Sequence, residues 1–305
     1  MDHRHLDERL ASLHLPLVVF GQTAVLQQPG ERPFHDPSMG QHGEAFVIAL
    51  RTSECGILKA TMYDAYREDL AYIHDIGFGD LAKNAAPVLL DALRRSGIDR
   101  GLVVDLCCGS GLLTQDLSAA GYRVVGIDIS QALLDIARAR VPSAHFCQES
   151  ILKAQIPPCV AVAAIGECFN YLFDEDNTQH GLRTLLRRIH GALDESGVLI
   201  FDLAEPGRVP PSSGVQRAHT EAEDWAVLMT AKEDRRNRML TRRITTFRKV
   251  GELYRRDQET HRLRLVPRPE ILKELGDLGF EVQVLDSYGQ LQFPSGHTGF
   301  LARKI

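Results

Sequence analysis

Two acids and a glycine turn carry the clearest chemistry in this chain. The apolar run Val103-Val104-Asp105-Leu106 leads into Cys107-Cys108-Gly109-Ser110-Gly111. Seventeen residues beyond Gly111, Asp128 closes a second apolar run, Val124-Val125-Gly126-Ile127. Glycine has no Cβ, so a Gly-x-Gly turn between strand and helix lets a ligand approach the backbone closely. A carboxylate at the end of the next strand can accept two hydrogen bonds from a ribose diol. Together these residues outline a nucleoside crevice.

The position of the first acid selects the nucleoside. Dinucleotide folds open with G-x-G-x-x-G. Here no glycine stands at 107 or 114, and Asp105 precedes the glycines by four residues. An acid at that point crowds a pyrophosphate and suits a cation. S-adenosylmethionine carries an ammonium, a sulfonium and no phosphate, so it fits better than NAD. Asp105-Leu106-Cys107-Cys108-Gly109-Ser110-Gly111 resembles the first motif of class I S-adenosylmethionine-dependent methyltransferases, and Val125-Gly126-Ile127-Asp128-Ile129-Ser130 resembles their second. The resemblance extends through Phe146 to Ile151, Gly166 to Tyr171 and Gly197 to Leu203, and covers about residues 62–305. It implies that Asp105 faces the cofactor's ammonium and that Gly109 and Gly111 admit the cofactor to the backbone. It further implies that Asp128 holds the ribose, Ile129 packs on the adenine, and Glu149 or Ser150 meets the adenine amino group. Cys107 departs from the pattern, because it occupies the first glycine position and so touches the methionine moiety differently.

Ligands of open α/β sheets bind beyond the carboxyl ends of the strands. Glu167, Asn170 and Tyr171 follow the fourth strand and are candidate acceptor contacts. On the late strand Leu253 to Val266, alternation places Glu259, His261, Leu263 and Leu265 on one face, and Thr260, Arg262 and Arg264 on the other. With the leucine face inward, Glu259 and His261 enter a partly apolar space. Methyl transfer from a sulfonium is an in-line displacement, so the protein mainly aligns the partners and excludes water. A hydroxyl acceptor also needs a base, for which Glu259, His261 and Glu167 are the candidates. No metal-ligand spacing stands out, which slightly favours N- over O-methylation.

These residues need elements to hold them. Strands are expected at Leu102–Leu106, Arg123–Ile127, Ala144–Cys147, Val160–Ile165 and Val198–Leu203. Helices lie between them, the clearest being Gln131–Arg140, N-capped by Ser130, and Thr178–Leu193. This alternation predicts a doubly wound, mostly parallel sheet covered on both faces. The resemblance makes it a seven-stranded, Rossmann-like methyltransferase fold with an antiparallel β lid inserted after the fifth strand. The lid strands are Trp225–Ala231, Met239–Val250 and Leu253–Val266, with a hairpin turn at Gly251-Glu252. A helix at Pro269–Leu278 and strands at Phe280–Ser287 and Gly299–Arg303 finish the chain. The expected parts are an N-terminal extension without assigned role (1–60), a helical cap (61–98), the cofactor-binding core (99–206), the lid (207–267) and the completion of the core sheet (268–305). Tyr63, Tyr66 and Tyr72, with Arg67, lie in the cap, which closes over the cofactor in related enzymes.

The net charge of -5 gives no general reason to expect nucleic acid. Residues 232–268 do carry thirteen Lys and Arg against five Asp and Glu, but no aromatic residues interleave on that face to stack bases. The first ten residues lack the apolar segment of a secretory signal. No apolar run approaches a membrane span, and the six cysteines form no C-x-x-C pair. A cytoplasmic enzyme with a small-molecule acceptor is the expectation. The alternatives are an RNA or protein methyltransferase, a non-catalytic S-adenosylmethionine-binding protein and an NAD-dependent enzyme.

Overall fold

A computed structural model describes residues 65–211 and 214–305 of the chain. The expectations for residues 1–60 and for Tyr63 lie outside them. Helices α1 (Glu68–Gly77) and α2 (Asp80–Arg95) lead into β1 (Leu102–Leu106), α3 (Leu112–Ala119), β2 (Arg123–Asp128), α4 (Gln131–Arg140), β3 (His145–Gln148), β4 (Cys159–Ala164), α5 (Gln179–Ala192) and β5 (Leu193–Ala204). Four antiparallel strands follow: β6 (Gln216–Glu221), β7 (Trp225–Asp234), β8 (Met239–Val250) and β9 (Leu253–Arg264). Helix α6 (Arg268–Asp277) returns the chain to β10 (Phe280–Leu285), the short pair β11 (Ser287–Tyr288) and β12 (Leu291–Gln292), and β13 (His297–Lys304).

The main sheet has seven strands in the order β10-β13-β5-β4-β1-β2-β3. Strands β1 to β5 pair in parallel, and β13 runs antiparallel to both its neighbours. Alternation along β1 explains the layers. Val104 and Leu106 join the cluster under α5 and α6, while Val103 joins the cluster with Leu89, Leu93, Leu113 and Leu117 of α2 and α3. Each fully buried leucine of this kind contributes about 1.5–3 kcal/mol. The same alternation turns Asp105 toward α3, against Thr114. Gly126 pairs with Asp105, and a Cβ there would lie 2.6 Å from the Phe146 ring and 2.8 Å from Cys108 Sγ. The Ser130 hydroxyl caps α4 by accepting from the Leu133 amide at 3.2 Å.

Two elements differ from the sequence expectation. Strand β6 was not foreseen because it is a polar edge strand, Gln-Arg-Ala-His-Thr-Glu, with no apolar run to signal it. Helix α1 starts at Glu68, inside the helical cap expected over 61–98, because Tyr66 sits at φ +50°. The amides of Tyr66 and Arg67 are instead taken by the Glu259 carboxylate on β9, each at 2.8 Å.

Candidate functional site

The glycine turn and the two acids meet at the carboxyl ends of β1 and β2. Asp128 Oδ2 accepts from the Gly109 amide at 2.9 Å, and Oδ1 accepts from the Ser130 amide at 2.8 Å. One carboxylate thus ties the first turn to the second and keeps a lone pair on each oxygen. Asp105 is buried and accepts from the Thr114 hydroxyl at 2.7 Å. Burial pushes its carboxyl up to about 7, against the pull of the Thr114 hydrogen bond and with a further push from Asp128. Asp128 is raised as well, by burial, although three backbone hydrogen bonds oppose the shift. Among the described residues no Lys or Arg forms an ion pair with either acid. Gly109 stands at φ +54° with nothing within 4 Å of where a Cβ would be. Two unneutralised acids beside an open backbone cradle fit a cationic nucleoside such as S-adenosylmethionine.

Of the other residues expected here, Ile129 is half-buried beside Asp128, Glu149 is exposed, and Ser150 is buried. The Glu149 amide donates to Asp128 O, and the Ser150 hydroxyl accepts from the Leu152 amide at 3.3 Å. Gly111, the N-cap of α3, lies at φ +77° against Ala137. Cys107 lies at φ +54°, a left-handed conformation that glycine adopts freely and a residue with a Cβ does not. Relief of that strain is worth about 1–2 kcal/mol, and the extra freedom of an unfolded glycine takes back about 0.5–1 kcal/mol. Cys107→Gly should therefore stabilise the protein by roughly 0.5–1 kcal/mol. Chemical denaturation measures this, and a loss of stability would mean that the thiol's contacts outweigh the strain.

The second cluster lies where β4 and β5 end, beneath the antiparallel sheet. Glu167, also left-handed at φ +59°, is buried. Its carboxylate accepts from Arg242 on β8 at 2.6 Å and from Arg208 at 3.0 Å. Its own amide and that of Gly166 donate to Asp202 at 2.7 and 2.9 Å. Burial alone would raise the Glu167 carboxyl, but the guanidiniums of Arg242 and Arg208 hold it well below the usual carboxylate range. A carboxylate paired with two guanidiniums is a weak proton acceptor near neutral pH.

Glu259, on β9, is engaged within the protein. Its two oxygens hold the Tyr66 and Arg67 amides, and one also takes His261 Nε2 at 2.8 Å. A carboxylate accepting backbone amides makes Nε2 the donor, so in the neutral ring the lone pair of His261 lies on Nδ1. That atom is buried and has no hydrogen-bond partner among the described residues. Around it stand Tyr66, Tyr171 and Phe173, with ring centroids 5.0, 5.8 and 4.9 Å from the imidazole. Burial pushes the neighbouring His74 down to about 4, so that ring is neutral at pH 7. The Tyr66 and Tyr171 hydroxyls meet at 3.1 Å. Asn170 is a staple and not an outward contact: its amide binds Ala204 N and O and Arg264 O, joining β5 to β9.

Sequence reasoning missed Arg242, Arg208, Asp202 and His297. The alternation used for β9, applied to β8, turns Leu240, Arg242 and Thr246 inward and would have found the first. Arg208 lies in a loop and has no periodic signal. Helix α1 bridges the two clusters. Arg67 pairs with Asp257 at 2.8 Å, Arg140 pairs with Asp75 at 2.7 Å, and Ser130 donates to Tyr66 O at 2.8 Å.

Comparison with known proteins agrees with this geometry. The "Methyltransferase domain" family matches residues 103–197. The chain is 24% identical to the "Putative methyltransferase YqeM" of Bacillus subtilis (strain 168), over 60% of this chain and 75% of that protein. It is 35% identical to the "Trans-aconitate 2-methyltransferase" of Paracidovorax citrulli (strain AAC00-1), over 40% of this chain and 46% of that protein, so it spans less than half of that relative. The solved structure of the sugar N-methyltransferase KedS8 from Streptoalloteichus sp ATCC 53650 shares the fold, with a TM-score of 0.62 and 17% identity over 89% of this chain and 99% of that one.

Proposed function

We propose that the chain is a class I S-adenosylmethionine-dependent methyltransferase and that it methylates the nitrogen of a small-molecule amine. The observation carrying this reading is the charge of the cluster beneath the antiparallel sheet, which acts as a lid. Three buried carboxylates, Glu167, Asp202 and Glu259, stand there against two guanidiniums, Arg208 and Arg242. The excess negative charge draws an ammonium, and His261 Nδ1 offers it a lone pair.

Asp105 receives the cofactor's ammonium, Asp128 receives the ribose diol, and Ile129 lies against the adenine. Because the Ser150 hydroxyl caps its own turn, Glu149 is the better partner for the adenine amino group. The cofactor supplies the electrophilic methyl group. The protein aligns the acceptor beyond Gly166 and excludes water.

The ammonium contact has a pH signature. Binding favours ionised Asp105, whose carboxyl in the free protein lies at about 7, above its unfolded value. Affinity for S-adenosylhomocysteine is therefore full above that pH and falls below it, by up to about tenfold per unit. In the free protein the raised value acts oppositely on stability. The folded state holds the extra proton, so this group's contribution declines as pH rises from about 4 toward 7. Calorimetry across pH checks the affinity trend, and Asp105→Asn should flatten it.

A carboxylate acceptor is the second reading, favoured by the paired arginines and by the trans-aconitate relative. A panel of amino sugars, simple primary amines and trans-aconitate, supplied with methyl-labelled S-adenosylmethionine, separates the two. Label in the amines alone supports the proposal. Label in trans-aconitate alone overturns it.

A further inference from the structure

We infer that His297, backed by Asp202, is the proton acceptor of the methyl acceptor site. The inference rests on the methyl-transfer reading above and adds a residue to it. His297 is the first residue of β13 and pairs with Ala204 at the end of β5. Its side chain is 3% exposed, and Phe293 stacks on its ring at 4.5 Å. Nε2 lies 2.9 Å from Asp202 Oδ1. Asp202 also accepts the Gly166 and Glu167 amides and the Tyr288 hydroxyl, the last at 3.3 Å. Surrounded by donors, that carboxylate fixes Nε2 as N–H, which leaves the lone pair on Nδ1.

Nδ1 has no hydrogen-bond partner among the described residues. The charged group facing it is Glu167 of the turn after β4, 3.9 Å away and too far to bond. Arg208 binds the same Glu167 oxygen, Oε1, and Arg242 binds the other. Gly166, next to Glu167, has open space where a Cβ would stand. A protonated ring would thus lie between two carboxylates, Asp202 on one nitrogen and Glu167 on the other.

An ammonium acceptor gives one proton to Nδ1 and becomes a neutral amine. Its nitrogen lone pair forms the bond to the methyl carbon, and the carbon–sulfur bond breaks with its electron pair left on sulfur. The imidazolium then releases its proton to solvent.

The test compares the full-length protein with His297→Gln, using whichever member of the panel the wild type methylates. The expected result is a kcat about 100-fold lower, an unchanged S-adenosylhomocysteine affinity and loss of the rising acidic limb of the kcat–pH profile. An unchanged kcat, or a retained limb, overturns the inference. Methylation of trans-aconitate and no amine would defeat the amine reading, and retention of His297→Gln activity on that acceptor would separately defeat the histidine's role. Should the variant fail to bind S-adenosylhomocysteine, or should no panel member be methylated, nitrogen NMR of 15N-histidine-labelled wild type decides. A neutral His297 ring with bare Nδ1 that titrates between roughly pH 5 and 8 supports the inference. A proton fixed on Nδ1 overturns it.

Discussion

Asp128→Ala should abolish measurable cofactor binding. The carboxylate is expected to take both ribose hydroxyls, and hydrogen bonds to a charged group are worth about 1.5–3 kcal/mol each. Losing two weakens S-adenosylhomocysteine by roughly 10²–10⁴-fold. The substitution also strands the Gly109 and Ser130 amides, which Asp128 accepts at 2.9 and 2.8 Å. An unsatisfied buried donor costs about 1–3 kcal/mol, so the free protein should also melt earlier. Asp128→Asn keeps the size of the side chain and one acceptor oxygen, and should fall between the two. Calorimetry and thermal melts measure the two effects separately. An alanine variant that binds within about threefold of wild type would remove Asp128 from the cofactor site.

The second large effect concerns Glu167. Its carboxylate is the shared partner of two guanidiniums, whose side chains are 14% (Arg242) and 11% (Arg208) exposed. Glu167→Gln takes the directly paired carboxylate from both guanidiniums. Breaking a buried pair by removing one partner costs about 3–5 kcal/mol. Most of that should return when Arg242 is replaced by Met in the same chain, because removing a buried charge together with its partner is far less damaging than stranding it. Chemical denaturation of the two single variants and the double variant reads this coupling. A double variant as unstable as the sum of the singles would show that Glu167 and Arg242 act independently. Acid should act in the same direction as Glu167→Gln. The carboxyl is held low, so its stabilising contribution is present at neutral pH and is lost as pH falls through that depressed value.

The cofactor half of the fold was legible because its signals are local. Each strand of the parallel core is a short apolar run, and the turn acids sit at fixed offsets from glycines. The acceptor half depends on long-range geometry. Asp202 lies in the middle of an apolar run, and its role becomes visible only when β13 brings His297 beside it. Glu259 was correctly placed on the inward face of β9, yet its partners are backbone amides near 66 in the sequence, which no periodicity reveals. Asn170 reads as a loop residue beside a site, and its full set of backbone bonds follows from tertiary contact alone. Strand β6 gave no signal because an edge strand is kept polar.

A crystal structure with S-adenosylhomocysteine bound tests the central claim most directly. The ribose hydroxyls should lie on Asp128, the ammonium beside Asp105 and the sulfur facing the Gly166–Glu167 turn, with Glu167, Arg242 and His297 around the adjoining space. A ligand whose ribose avoids Asp128, or whose sulfur points away from that turn, would contradict it.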